Sequence, residues 1–393
     1  MTRLFLNGLG ASAGGGLTYL RNVLPHLSQR PGFVTTVALN PGLGNEFDGL
    51  PNIEFVPVPE PMGTLRRFLF EQARLPSIIR KSRAQVLISA GNIALRNSPV
   101  PQILLSRNSL YTSADFYRDL LSRREHAMWL DTRVNSALAR KSIHWSDCTV
   151  APSRAFADDL QRWAGRNVVT IQHGFDPQAF FCDRSPLPND VERPLRSAEG
   201  SLRLLFVSHY NYYRNFEVLF RAIPLLRKKL QRQRVRLFLT CNLRNGQNPG
   251  SYKTERAASL IEQLGIREEV VELGPVPYHL LHQVYSACDI YVTPAYTETF
   301  AHPLVEAMAS GLPVVASDLP VHREVCGESA MYFDRFSPME VADRVCEVAS
   351  TTEAAARLST LGRKRAANFS WSKHVSQMLD VVEHLLASQL ARA

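Results

Sequence analysis

Two glutamates with seven residues between them head the string Glu298-Thr-Phe-Ala-His302-Pro303-Leu-Val-Glu306-Ala-Met-Ala-Ser-Gly311-Leu-Pro313-Val-Val-Ala-Ser-Asp318. A carboxylate accepts two hydrogen bonds from vicinal hydroxyls such as those of a ribose, and a carboxylate pair also suits general acid–base work. Pro303 fits the first position of a helix, which Gly311 followed by Pro313 ends. The free N–H groups around Leu304 and Val305 then point back at the end of the preceding strand, a ready site for a diphosphate. Taken singly, Glu306 is equally explained as a surface acid favoured by the helix dipole.

A second candidate is His209-Tyr-Asn-Tyr-Tyr-Arg214. The Arg214 guanidinium can grip a phosphate with its fork, while His209 is cationic only part of the time near neutrality. A third is the loop Gly8-Leu-Gly10-Ala-Ser-Ala13-Gly14-Gly15-Gly16. Gly8-x-Gly10-x-x-Ala13 matches a dinucleotide fingerprint, so an NAD-dependent oxidoreductase stays open as an alternative. That reading needs an acid at the end of the second strand, and Val37-Ala-Leu-Asn40 has none. A P-loop fails because no Lys-Ser/Thr follows Gly15. There remains a glycine loop whose Gly15 and Gly16 let the backbone approach an anionic ligand, or a flexible strand–helix turn.

The whole string from Glu298 to Asp318 resembles the retaining nucleotide-sugar glycosyltransferases of family 4. Leu319-Pro-Val-His-Arg-Glu324-Val, Ala330-Met-Tyr-Phe-Asp334, Gly274-Pro-Val276 and the helical stretch Tyr278–Cys288 continue the likeness over most of residues 202–345. It is looser in the first half, and Phe369-Ser-Trp371 resembles the segment by which that family's chain crosses back onto its first domain. The resemblance implies an α/β protein of the GT-B fold, with two Rossmann-like doubly wound domains facing each other across a cleft.

It also implies transfer of a hexose-type sugar from a nucleoside diphosphate, such as a GDP- or UDP-sugar, with retention. The acceptor hydroxyl would belong to a saccharide, a lipid-linked saccharide or a small glycoside, in surface polysaccharide or glycolipid synthesis. By the same likeness, Glu306 should bind the donor ribose, and Glu298 should lie at the reacting sugar or its acceptor. Thr299, Phe300, Ala301 and His302 should contact sugar hydroxyls, and Gly274 to Val276 should flank the base. The family's Arg-x4-Lys grip on the diphosphate falls on His209 and Arg214, spacing kept and both types changed. Its first-domain catalytic histidine falls on Arg107, beside Asn108. These departures leave room for a catalytically silent relative acting as a partner subunit. No two aspartates are separated by a single residue, so no metal and no cofactor are expected, and activity should survive EDTA.

The elements that must position these residues follow from composition and pattern. The chain has 393 residues, 45% hydrophobic and 21% charged, which suits two domains, and excludes a disordered chain or a bilayer-spanning one. Arg3–Asn7, Val34–Leu39, Val86–Ser89, Gln102–Leu105, Thr149–Ala151 and Val168–Gln172 read as strands of a first domain over residues 1–185. Leu202–Ser208, Val235–Thr240, Val270–Leu273, Asp289–Pro294, Pro313–Ser317 and Met331–Phe333 read as those of a second, over 200–369. The proline-bearing stretch 183–200 reads as the linker. Ser370–Leu390 reads as an amphipathic helix returning, with the rest of 370–393, to the first domain.

Six scattered cysteines and an opening apolar run too short for a signal peptide suit a reducing cytoplasm. The net charge is +9, with ten basic against one acidic residue in 201–250, yet no nucleic-acid motif appears. The stripe Arg66–Arg83, with Phe68, Phe70 and an interrupting Pro76, reads first as a core helix with solvated arginines and second as a peripheral membrane contact. The run Arg227–Arg236 reads likewise, first as a solvated helix end and second as a membrane contact.

Overall fold

The computed structural model describes residues 1–11, 14–56, 58, 63–231 and 233–391; Ala13 of the glycine loop and Arg232 of the basic run lie outside them. The first sheet has seven parallel strands, β1 (Thr2–Asn7), β2 (Phe33–Ala38), β3 (Ile53–Val56), β4 (Val86–Ser89), β5 (Gln102–Leu105), β6 (Cys148–Ala151) and β7 (Val169–Thr170), in the order β3-β2-β1-β4-β5-β6-β7. Its strands are apolar on both faces because both are covered. In β1, Leu4 and Leu6 enter the core formed with the helix Gly14–Ser28, while Phe5 packs the other way onto Leu75 and Ile79.

The second sheet has six parallel strands, β8 (Leu202–Phe206), β9 (Val235–Leu239), β10 (Val270–Glu272), β11 (Ile290–Thr293), β12 (Val314–Ser317) and β13 (Ala330–Phe333), in the order β10-β9-β8-β11-β12-β13. Both orders reverse direction once, between β1 and β4 and between β8 and β11. At such a switch point the loops leaving adjacent strands diverge and open a crevice at the strands' carboxyl ends.

The chain forms two compact units, Met1–Ser113 with Arg123–Gly174 and Ser370–Ala393, and Ala114–Ser122 with Phe175–Phe369. The crossing therefore falls at Gly174–Phe175 and not within 183–200. That stretch is no bare linker: it carries the helix Asn189–Ser197, whose Val191 and Leu195 are buried. The C-terminal helix Trp371–Leu390 puts Trp371, Val375, Met378, Leu379 and Val382 into the first unit's core. Gly174 is required where it returns, since a Cβ there would lie 2.0 Å from the Trp371 backbone nitrogen.

The basic stripe forms two helices, Thr64–Ala73 and Leu75–Lys81, with Pro76 in the opening turn of the second. Phe70 packs on the core, but Leu65 and Leu69 are 71% and 57% exposed. In the later basic run, Arg227 pairs with Glu269 and Lys229 with Asp343, as a solvated helix end does. Among the described residues no helix is long and apolar enough to cross a membrane.

Candidate functional site

The second unit gathers its candidate residues at the switch point. After β8 the chain makes a short turn, Tyr212–Arg214, capped by Asn211, whose Oδ1 accepts from the Arg214 amide at 3.1 Å. Asn215 follows in the left-handed region at φ 56° and donates to the carbonyls of Pro294 (3.2 Å) and Arg335 (2.6 Å). The Tyr296 amide donates to the Tyr213 carbonyl at 3.0 Å. These bonds stitch the loop after β8 to the loop after β11, and so bring Arg214 Nη1 onto Glu298 Oε2 as an ion pair.

The pair is enclosed, at 21% and 10% side-chain exposure. Burial alone would raise the Glu298 pKa, but the Arg214 charge and the Thr299 amide, 3.0 Å from Oε1, hold it below the ordinary carboxylate value. Burial works against the Arg214 charge too, and Glu298, Tyr213 and Tyr291 together more than offset it. Arg214 Nε is buried with no partner. The exposed His209 is pushed down by partial desolvation and by Arg214, so near neutrality it is an uncharged ring.

Glu306 lies on the helix His302–Ser310, opened by Pro303 and closed by Gly311 at φ 78°. It is not a surface acid: only 5% is exposed, and Oε2 accepts from Tyr285 Oη at 2.9 Å. Burial pushes it up to about 7 against that hydrogen bond and one from Tyr278. Arg214, Glu306 and Glu298 all lie within electrostatic reach of buried Tyr291 of β11.

The segment before the helix is strained. Ala301 has φ 65°, a conformation that a residue with a Cβ holds only when its surroundings enforce it. Here Phe300, 1% exposed and edge-on to Phe369 at 5.4 Å, anchors one side, and half-buried Thr299 and His302 flank it. This turn corrects one expectation: the Leu304 amide is not free, because it donates to the Ala301 carbonyl at 3.0 Å. The side chains of Leu304 and Val305 are wholly buried, so only backbone could reach a ligand there. Gly274, at φ 71°, places its missing Cβ 3.4 Å from the Asn242 side chain, with Val276 half-buried beyond it.

The helix Ala114–Ser122 buttresses this site, a contribution the sequence did not signal. Asp115 bonds Arg335 Nε at 2.9 Å, Asp119 accepts from Tyr296 Oη at 2.9 Å, and Phe116 meets Tyr213 edge-on.

The remaining candidates belong to the first unit. Arg107 donates from Nη1 to the Gly15 carbonyl at 3.3 Å and from Nη2 to that of Ala90 at 2.5 Å, and lies over the Tyr19 ring. Its guanidinium thus pins the loops after β1 and β4, with Nε left unpartnered. Asn108 Oδ1 is taken by the Leu110 amide. Gly16 sits where a Cβ would press on Ala11, whereas Gly15 has open space. The Gly8 and Gly10 spacing serves packing, since a Cβ on Gly8 would meet Leu39 at 2.8 Å and one on Gly10 would meet Gly91 at 3.4 Å. Sequence reasoning missed the cage beside Arg107, where Tyr19 Oη and His374 Nε2 are 3.0 Å apart and His173 and Trp371 complete it. Among the described residues no three metal-ligating side chains cluster.

Solved structures share this architecture across nearly the whole chain. The sucrose-phosphate synthase of Thermosynechococcus elongatus is 17% identical with a TM-score of 0.77, covering 99% of this chain and 100% of that one. Anabaena HepE, solved in complex with UDP-glucose, is 16% identical with a TM-score of 0.74 over 98% and 100%. Two parallel α/β units of this kind define the GT-B fold. The family model for glycosyl transferases group 1 matches residues 189–365, and that for glycosyltransferase family 4 matches residues 13–179. The chain belongs to the family 4 glycosyltransferases. A D-inositol 3-phosphate glycosyltransferase of Corynebacterium kroppenstedtii is 30% identical over 244 residues, 56% of this chain and 53% of that protein. One of Stackebrandtia nassauensis is 28% identical over 60% and 53%. The chain spans about half the length of these curated relatives.

Proposed function

We propose that this chain transfers a hexose-type sugar from a nucleoside diphosphate to an acceptor hydroxyl with retention of anomeric configuration. The observation that carries the reading is the enclosed Arg214–Glu298 ion pair at the β8–β11 switch point. Arg214, with its unpartnered Nε, grips the departing diphosphate together with His209 as a neutral hydrogen-bond donor, and the charge that develops there is the one the site must stabilise. Glu306 accepts the ribose hydroxyls, Gly274 to Val276 flank the base, and Glu298 with the strained Thr299–His302 turn addresses the sugar. Arg107 acts by holding the first unit's loops.

The test is a thermal-shift panel of UDP-, GDP-, ADP- and dTDP-sugars, because a ligand bound only by the folded chain raises its stability by mass action. One donor should stabilise the chain, and release of its nucleoside diphosphate should continue in EDTA. Stabilisation by NADH and by no sugar nucleotide would move the assignment to the oxidoreductase reading; donor binding without turnover would leave a silent partner subunit.

The acceptor on this reading is a saccharide, lipid-linked saccharide or small glycoside, met at the cytoplasmic face of a membrane. Exposed Leu65 and Leu69 beside Arg66 favour an acidic lipid surface. The chain should co-sediment with phosphatidylglycerol vesicles and lose most of that binding on L65S/L69S; equal binding by the variant removes the membrane part.

A further inference from the structure

His322 is a buried histidine for which the donor site, as assigned so far, has no use. It lies on the helix Pro320–Cys326 with none of its surface exposed. Its Nδ1 is 2.9 Å from the Ser317 carbonyl oxygen, which can only accept, so Nδ1 carries the proton and Nε2 presents a bare lone pair. That Nε2 is buried with no partner. Enclosed polar atoms are nearly always hydrogen-bonded, so an orphan of this kind marks a place where a ligand or an ordered water completes the structure.

The surroundings say which ligand. Ser317 Oγ donates to the Ala295 carbonyl at 2.5 Å, which ties the end of β12 to the loop that carries Glu298. Burial drives the ring down to about 4, and Glu298 and Arg214 both lie within electrostatic reach of it, so it stays neutral beside the ion pair. In the strand order β10-β9-β8-β11-β12, Gly274 follows β10, Arg214 follows β8, Glu298 follows β11 and His322 follows β12. His322 therefore follows the strand next to the one that Glu298, the residue assigned to the sugar, follows.

We propose that His322 Nε2 accepts a hydrogen bond from one hydroxyl of the transferred sugar, directly or through one ordered water, and so helps select the sugar and not the nucleotide. This rests on the donor-site reading above. Its test separates the two ring nitrogens. His322→Asn keeps an amide donor near the place of Nδ1 and loses the Nε2 acceptor; His322→Gln carries an acceptor out to the place of Nε2. Calorimetry with UDP, UDP-glucose, GDP and GDP-mannose gives, for each protein, the ratio of sugar-nucleotide to nucleoside-diphosphate affinity.

The Asn variant should lower that ratio by about three- to tenfold, the worth of one hydrogen bond, and the Gln variant by less than about twofold. Nucleoside-diphosphate affinity should be unchanged in both. Equal loss for both ligands, no loss at all, or a Gln variant worse than the Asn variant assigns His322 to the fold through Nδ1 and overturns the proposal. If the parent binds none of the four, the same ratio is read with the sugar nucleotide that the thermal-shift panel selects; a parent that binds no sugar nucleotide of that panel overturns the donor-site reading and the inference with it.

Discussion

Arg214→Ala is expected to lower affinity for the sugar nucleotide by at least about a hundredfold and to destabilise the unliganded chain by about 3–5 kcal/mol at pH 7. On the proposed reading the first effect follows from loss of a charge-assisted, forked grip on a diphosphate. The second follows from what is left behind. Glu298 is 10% exposed, and without Arg214 its charge has the Thr299 amide and a neutral His322 for company. An uncompensated buried carboxylate costs more than the intact pair contributed, so Arg214→Met/Glu298→Gln should recover most of the stability and none of the binding.

The pH dependence carries a definite sign. Glu298 is held below its ordinary value of 4.5 in the folded chain. Its contribution is therefore present above 4.5 and is lost as pH falls through the folded pKa. The stability gap between parent and Arg214→Ala, measured by urea unfolding, should be widest near neutrality and close in acid. A gap of constant size from pH 4 to pH 8 would show that packing and not charge is lost. Parental donor affinity in Arg214→Ala would remove this residue from the binding site altogether.

How much of this was legible in the sequence depended on whether a signal was local. Val86–Ser89 and Gln102–Leu105 are short apolar runs between turn residues, and the ladders occupy those residues. Ile53–Val56 escaped because four residues with one glutamate among them leave too little alternation to read. The helix Asn189–Ser197 was hidden by Pro188 and Pro194, although Val191 and Leu195 are spaced as one helical face requires. Glu298 and Glu306 stood out by spacing, but their partners did not. Tyr285 reaches Glu306 across 21 residues, and the Ser317–Ala295 bond spans 22. Such pairings come from strand order, which no window of sequence contains. The free amide expected at Leu304 failed for a related reason: the left-handed turn at Ala301, enforced by packing around Phe300, lets the Ala301 carbonyl fold back and accept a hydrogen bond from that amide.

Glu306→Gln should make the unliganded protein more stable at pH 8 while it weakens nucleoside-diphosphate binding by about ten- to a hundredfold. Glu306 is raised from 4.5 to about 7 in the folded chain, with burial as the main cause. Below pH 4.5 both folded and unfolded chains hold the proton, and the group has no effect. Between 4.5 and 7 the unfolded chain releases it first, so stability falls as pH rises; above 7 the full cost, on the order of 3 kcal/mol, is in place. Glutamine keeps an acceptor for Tyr285 Oη and never ionises, so it removes that cost. Melting temperatures of parent and variant should coincide near pH 4.5 and part by several degrees at pH 8. On the proposed reading the ribose hydroxyls need a carboxylate and favour the charged form, so donor affinity should weaken as pH drops below about 7. A variant that is less stable than the parent at pH 8 and binds nucleotide equally well would place Glu306 in the fold and outside the site.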